Sequence, residues 1–227
     1  MPTTASKPKP FYLISRATQR ALYHRVDTAL RSRGDEHNHN DVAEIAASMA
    51  LRTSDVAVAP ESAAGLLLVR KATHILATEP RLANLVSEAA RSLCTAPADS
   101  VALVACPLAD NKKELKQALT FLGRCRLPLL LLVRTAWGKS GPKAIDLRTV
   151  HAEFGIPVIT VDANDAIAVY RVATEAAHNA RIGRGTTIIE AACIANSAES
   201  VKSPSPLECL ESYMRRHGAW SNRNPKR

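Results

Sequence analysis

Two stretches of the chain are apolar without interruption, "VALVA" at 101–105 and "PLLLLV" at 128–133. Successive side chains of a strand point to opposite faces, so a strand with no polar residue has no side to offer water. Runs of this kind are what parallel strands covered by helices on both faces require. Between them "NKKELKQALTFLG", 111–123, repeats its apolar residues at helical spacing, and Gly123 is expected to close that helix.

The rest of the chain alternates in the same way. "SDVAVAP" (54–60), "PVITV" (157–161) and "TTIIEAACI" (186–194) read as further strands. Leu13, Ile14, Ala17, Ala21, Leu22 and Val26 predict a helix over 11–33 that stops at Gly34, and Val42, Ile45, Ala46 and Met49 predict one beginning near Asp41. Two more helices are expected over 62–77 and 81–93. One ending in "HAEFG" follows, with "WGKSGPKAI" as the loop before it. In "DANDAIAVYRVATEAAHNARIG", Asp162 or Asn164 is placed to cap, and Asp165 suits the positive helix start. Ser205 is placed to cap a final helix in "SPLECLESYMRRHG". Strands alternating with helices predict an α/β fold with a central, mostly parallel sheet and helices on both faces.

Aromatic residues make up only 4% of the chain, which leaves Ala, Leu and Val to fill the core. The 227 residues fit one domain over 11–220, with a Pro- and Lys-rich lead-in at 1–10 and a basic tail at 221–227. The net charge of +9 and the pI near 9.6 favour an anionic partner. Part of the excess lies in the closing "MRRHGAWSNRNPKR", and no basic segment interleaved with aromatics is visible, so a nucleic-acid partner is not expected. Five cysteines without CxxC spacing suggest reduced thiols. Neither a secretory signal nor a membrane-length apolar run is seen, and a cytoplasmic protein is the expectation.

Ligands of parallel α/β sheets bind beyond the carboxyl ends of the strands. The turn Cys106-Pro107-Leu108 is expected at one such end, yet it has no glycine to admit a phosphate. "GKSG" at 138–141 is no phosphate loop either, because the glycine that motif needs at position 133 is Val133. "HNHN" at 37–40 reads as a polar loop, and His74, His151 and His178 stand singly on expected helices. Cys106 reads as a buried thiol, or as a nucleophile if Lys112 or Lys113 lowers its pKa. Those two lysines fall in the first helical turn, where free backbone N–H groups favour an anion. They form either a solvated face with Lys116 or an anion pocket.

The segment 147–192, "LRTVHAEFGIPVITVDANDAIAVYRVATEAAHNARIGRGTTIIEAA", resembles the alpha subunit of thiamine-diphosphate-dependent 2-oxoacid dehydrogenases. Phe154-Gly155-Ile156-Pro157, Val161-Asp162-Ala163-Asn164-Asp165 and Thr187-Ile188-Ile189-Glu190-Ala191 carry the likeness. "ASMALRTSDVAVAP", "KQALTFLGRCRLPLLLLV" and "SPLECLESYMRRHGAW" extend it over most of 11–220. The resemblance implies a thiamine-diphosphate-binding fold, the cofactor thiamine diphosphate with magnesium, and pairing with a second copy or with a beta subunit.

Carried over residue by residue, the implied site departs from the family. Cys106-Pro107-Leu108 stand where the family has Gly-Asp-Gly, whose Asp holds the metal. Thr135-Ala136 fall at its Asn-Asn pair. Glu61-Ser62-Ala63-Ala64 fall near its Tyr-Arg-Asp-His segment. A diphosphate needs a divalent cation, close backbone approach and a basic side chain. The expectation is a degenerate homologue that binds no cofactor by itself and works through subunit association. The alternatives are an active dehydrogenase subunit completed by a beta-like partner, or a module that binds another anion through Lys112 and Lys113.

Overall fold

The computed structural model describes residues 14–33, 38–60, 72–77, 81–107, 112–137, 147–194 and 204–220. In chain order the helices are α1 (Arg16–Arg33), α2 (Asn38–Met49), α3 (Leu82–Thr95), α4 (Lys112–Cys125), α5 (Val150–Phe154), α6 (Ala166–Asn179) and α7 (Pro206–Arg216). The strands are β1 (Val56–Pro60), β2 (Thr73–Ala77), β3 (Ala102–Pro107), β4 (Leu129–Trp137), β5 (Val158–Asp162) and β6 (Thr187–Ile194). They form one six-stranded sheet in the order β2-β1-β3-β4-β6-β5, parallel at every pairing.

The alternation of side chains along the strands divides the core in two. Leu103, Leu130, Leu132 and Ile189 face α1, α2, α6 and α7. Val104, Cys106, Leu131, Val133 and Ile188 face α3, α4 and α5. Leu130, Leu131 and Leu132 are all at 0% exposure, so each contributes the roughly 1.5–3 kcal/mol of a fully buried aliphatic side chain. The handedness of crossovers explains which helix lies where. Right-handed connections that step the same way across the sheet, β2 to β3, β3 to β4 and β4 to β5, place α3, α4 and α5 on one face. The step from β5 back to β6 reverses direction and puts α6 on the other.

The predicted Ser205 cap forms, whereas the cap of α6 is Asp165 rather than Asp162 or Asn164. Asp165 Oδ1 accepts the backbone N–H groups of Ile167 at 3.0 Å and Ala168 at 2.9 Å, starting α6. Ser205 and Glu208 form a reciprocal capping box that starts α7.

Several expectations change. Residues 73–77, predicted as the end of a helix over 62–77, form β2, so His74 lies on a strand; 61–71, with Glu61 and Ser62, lie outside the described residues. Helix α2 begins at Asn38 rather than near Asp41, which takes most of "HNHN" out of a loop. Helix α1 begins at Arg16, and 1–13 and 221–227 are outside the described residues, as is most of "WGKSGPKAI".

Gly123 does not end its helix. Helix α4 runs on to Cys125, and the left-handed residue that follows is Arg126, at φ 46°. Gly123 serves packing instead, because a Cβ there would lie 2.5 Å from the carbonyl oxygen of Phe154 on α5. Gly155, at φ 69°, is the left-handed stop of α5 that the sequence "HAEFG" predicts.

Candidate functional site

The expected turn after β3 is strand. Cys106 and Pro107 continue the ladder, Cys106 opposite Val133 and Pro107 opposite Arg134. Leu108 lies outside the described residues. Proline lacks an N–H, and among the described residues β1 pairs with β3 only as far as Val104, so the ladder at Pro107 has a neighbour on the β4 side alone. Strand β4 likewise runs four residues past its predicted end, to Trp137. Thr135 and Ala136 are therefore strand residues, paired with Ala192 and Cys193 of β6.

Cys106 is buried at 3% exposure. Burial pushes its thiol up to about 12, and the Arg134 guanidinium pulls the other way only weakly. A thiol held neutral at physiological pH is no nucleophile, so the buried reading of Cys106 stands. Of the two lysines, Lys113 is exposed in the first turn of α4. Lys112 opens the helix. Beside them Glu114 Oε1 accepts the backbone N–H of Ala83 at the start of α3, at 3.3 Å, so a carboxylate shares this turn.

The carboxyl end of the sheet holds two polar groupings, one on each face. On the face toward α3, α4 and α5, Glu190 of β6 bridges its neighbours. Its Oε1 accepts from Thr135 Oγ1 at 3.1 Å and its Oε2 from Thr160 Oγ1 at 2.7 Å. On the opposite face Arg134 reaches Glu44 of α2 at 3.0 Å, with Glu44 at 0% and Arg134 at 17% side-chain exposure. Arg134 is the cation that leads the apolar run of β4 out to the strand end, and its charge is met by Glu44. Glu44, Arg134 and Glu190 were not among the sequence-derived candidates. The signal available was that each is the lone charge within an apolar stretch, "VAEIAA", "LLLLVRTA" and "TIIEAA".

The arrangement supplies a carboxylate held by two hydroxyls and a neutralised ion pair. Thiol labelling tests the burial pattern directly. With a disulfide reagent at pH 8, Cys94 and Cys125, which are exposed, are expected to react first. Cys209 is expected to lag, because burial, then Asp165, Asp162 and Glu208, raise its pKa. Cys106 is expected to react only on unfolding, as read by peptide mass mapping. The same shift has a sign in stability. The folded thiol stays protonated while the unfolded one ionises, so the contribution of Cys106 is whole below the ordinary thiol value of 9.0 and is lost as pH rises toward about 12.

Residues 143–196 match the family model of the dehydrogenase E1 component. The pyruvate dehydrogenase E1 component subunit alpha of Porphyra purpurea is 29% identical over 121 residues, which cover 51% of this chain and 34% of that protein. The subunit of the same name from Acholeplasma laidlawii is 37% identical over 84 residues, covering 34% and 24%. The chain thus matches about a third or less of the length of these curated relatives. Among solved structures, a 2-oxoglutarate:ferredoxin oxidoreductase from Magnetococcus marinus superimposes with a TM-score of 0.46 at 11% identity, covering 68% of this chain and 28% of that one. The sequence relationship, not that superposition, carries the likeness. The family-matched stretch takes in α5, β5, α6 and β6, which hold the Asp165 cap and the Glu190 bridge. Over this stretch the chain is similar in sequence to the alpha subunits of 2-oxoacid dehydrogenases.

Proposed function

We propose that the chain is a cytoplasmic, alpha-subunit-like scaffold that acts by associating with a second subunit, a further copy or a beta-like chain, and does not by itself bind thiamine diphosphate with magnesium. One observation carries this reading. The positions at which the family resemblance puts the metal and diphosphate contacts, Cys106, Pro107, Thr135 and Ala136, are rungs of the parallel ladder.

The residues present there do not fit the cofactor. A magnesium ion demands several oxygen ligands in near-octahedral geometry. Cys106 offers a neutral buried thiol, Pro107 and Ala136 have no side-chain heteroatom, and the Thr135 hydroxyl is engaged with Glu190. A diphosphate needs uncompensated positive charge, and Arg134 is balanced by Glu44. No step of 2-oxoacid chemistry is therefore assigned to these residues.

Sedimentation analysis of the chain alone, and co-purification with a co-expressed beta subunit, test the association. The expected result is a dimer or a stable hetero-complex that does not decarboxylate pyruvate or branched-chain 2-oxoacids. A monomer that captures no beta subunit, or an assembled complex that turns over a 2-oxoacid, contradicts the proposal.

A further inference from the structure

Helices α1 and α7 are separated by most of the sequence, yet they lie side by side on one face of the sheet. Tyr23 Oη of α1 donates to Glu211 Oε1 of α7 at 2.9 Å, and Arg20 Nε donates to the carbonyl of Ala219 at 3.1 Å. The Tyr23 ring meets Trp220 edge-on at 5.3 Å. Their junction extends the basic row of α1 onto α7. Arg16, Arg20, His24 and Arg31 are exposed on α1, and Arg215 is exposed on the side of α7 that carries Glu211.

Among the described residues, carboxylates are few on this surface. Asp27 pairs with Arg31 at 3.0 Å within α1, and Glu211 lies 3.9 Å from Arg215. Glu208 is held in the capping box at the far end of α7. The charges of Arg16 and Arg20 are not matched by these carboxylates. Aromatic rings are set among the cations, since Arg215 stacks 4.7 Å above Trp220 and Trp220 in turn abuts Tyr23.

Arg16, Arg20, His24 and Arg31 fall within one quarter of the circumference of α1, a quarter shared by Asp27, the partner of Arg31. At 1.5 Å per residue that row extends about 22 Å. The cations are mostly arginines, whose planar guanidinium groups bind phosphate oxygens in pairs. A pI near 9.6 together with basic residues gathered along a helix is the electrostatic footprint of a nucleic-acid-binding chain. A lipid surface fits less well. The apolar side of α1, with Leu22, Val26 and Ala29 at 0–1% exposure, is packed into the core, leaving nothing to insert among acyl chains.

We propose that the joined α1–α7 face binds the phosphate backbone of duplex nucleic acid without regard to sequence. This departs from the sequence expectation of no nucleic-acid partner, which rested on the absence of a basic face interleaved with aromatics; the fold builds one from two distant helices. It is independent of whether the chain associates with a beta-like subunit.

The test is fluorescence anisotropy of a labelled duplex DNA of about 24 base pairs, titrated with the full chain between about 50 and 200 mM salt. The wild-type chain is expected to bind, with log K falling linearly in log salt. Arg16, Arg20 and Arg215 changed together to Gln are expected to weaken binding at least about tenfold and to flatten that slope by about 2–3, at about 0.9 for each phosphate no longer neutralised. The same positions changed to Lys are expected to keep the slope. Thermal melting of each variant at the wild-type temperature confirms that the fold is kept. No wild-type binding at the lowest salt, or an unchanged slope in the Gln variant, overturns the proposal. Binding to phosphatidylserine vesicles or to polyglutamate as tight as to the duplex also overturns it, since it assigns the face to a membrane or to an acidic protein.

Discussion

Asp55→Ala is expected to lower the stability of the chain by about 3–5 kcal/mol, the range for breaking a buried ion pair from one side. Asp55 precedes β1 and is at 0% exposure. Its Oδ2 accepts the backbone N–H of Arg52 at 2.6 Å and its Oδ1 that of Val101 at 2.9 Å. Arg181, in the kinked turn after α6, closes on the same carboxylate. One side chain thus ties the entry of β1 to the entry of β3 and to the exit of α6. Its own carbonyl also accepts from Thr73 at the start of β2, at 3.0 Å. The alanine leaves a guanidinium at 11% exposure without its carboxylate, and the buried N–H of Val101 and the part-buried N–H of Arg52 without an acceptor. Urea denaturation reads the loss. Combining Asp55→Ala with Arg181→Met is expected to recover part of it, because the orphaned charge goes. Equal stability of Asp55→Ala and wild type contradicts this account.

Arg134→Met is expected to cost a similar amount, about 3–5 kcal/mol at neutral pH, and to do so in a pH-dependent way. It strips the fully buried Glu44 of the Arg134 guanidinium, and a desolvated carboxylate that loses a counter-charge takes up a proton more readily. Its folded pKa in the variant then lies above the unfolded value. The variant is accordingly most stable in acid and loses ground as pH rises through that raised pKa, so the deficit against wild type is expected to be smaller at pH 5 than at pH 8. Replacing both partners with apolar residues, Glu44→Leu with Arg134→Met, is expected to restore most of the stability. A deficit that does not change with pH argues against a charged Glu44 as the cause.

Local chemistry made much of the fold legible. The apolar runs at 101–105 and 128–133 suit buried parallel strands, whose two faces are both hidden from water. Asp165 and Ser205 announce helix starts through the free N–H groups they satisfy. The misreadings share a physical origin. Residues 73–77, "THILA", carry no period that separates strand from helix in so short a run, and β2 forms there because β1 offers a parallel edge. The ends of β3 and β4 run past their apolar cores because pairing between neighbours carries Pro107, Thr135 and Ala136 along. Gly123 looks like a stop until Phe154 of another helix is seen against it.

The site was less legible than the fold. Cys106, Pro107, Thr135 and Ala136 drew notice by where they stand relative to a related family, and that comparison needs only sequence. Glu190, Glu44 and Arg134 act through partners 30 to 90 residues away, and nothing local marks which of many charges will be buried. The α1–α7 surface is the extreme case, since its two halves come from opposite ends of the sequence.

We propose above that the positions of the family's cofactor site are filled in here. Isothermal titration calorimetry of the full chain with thiamine diphosphate in the presence of magnesium tests it most directly. The account requires no saturable heat with the cofactor raised to about 1 mM, a binding free energy weaker than about −4 kcal/mol. Saturable, magnesium-dependent binding in the micromolar range would contradict it.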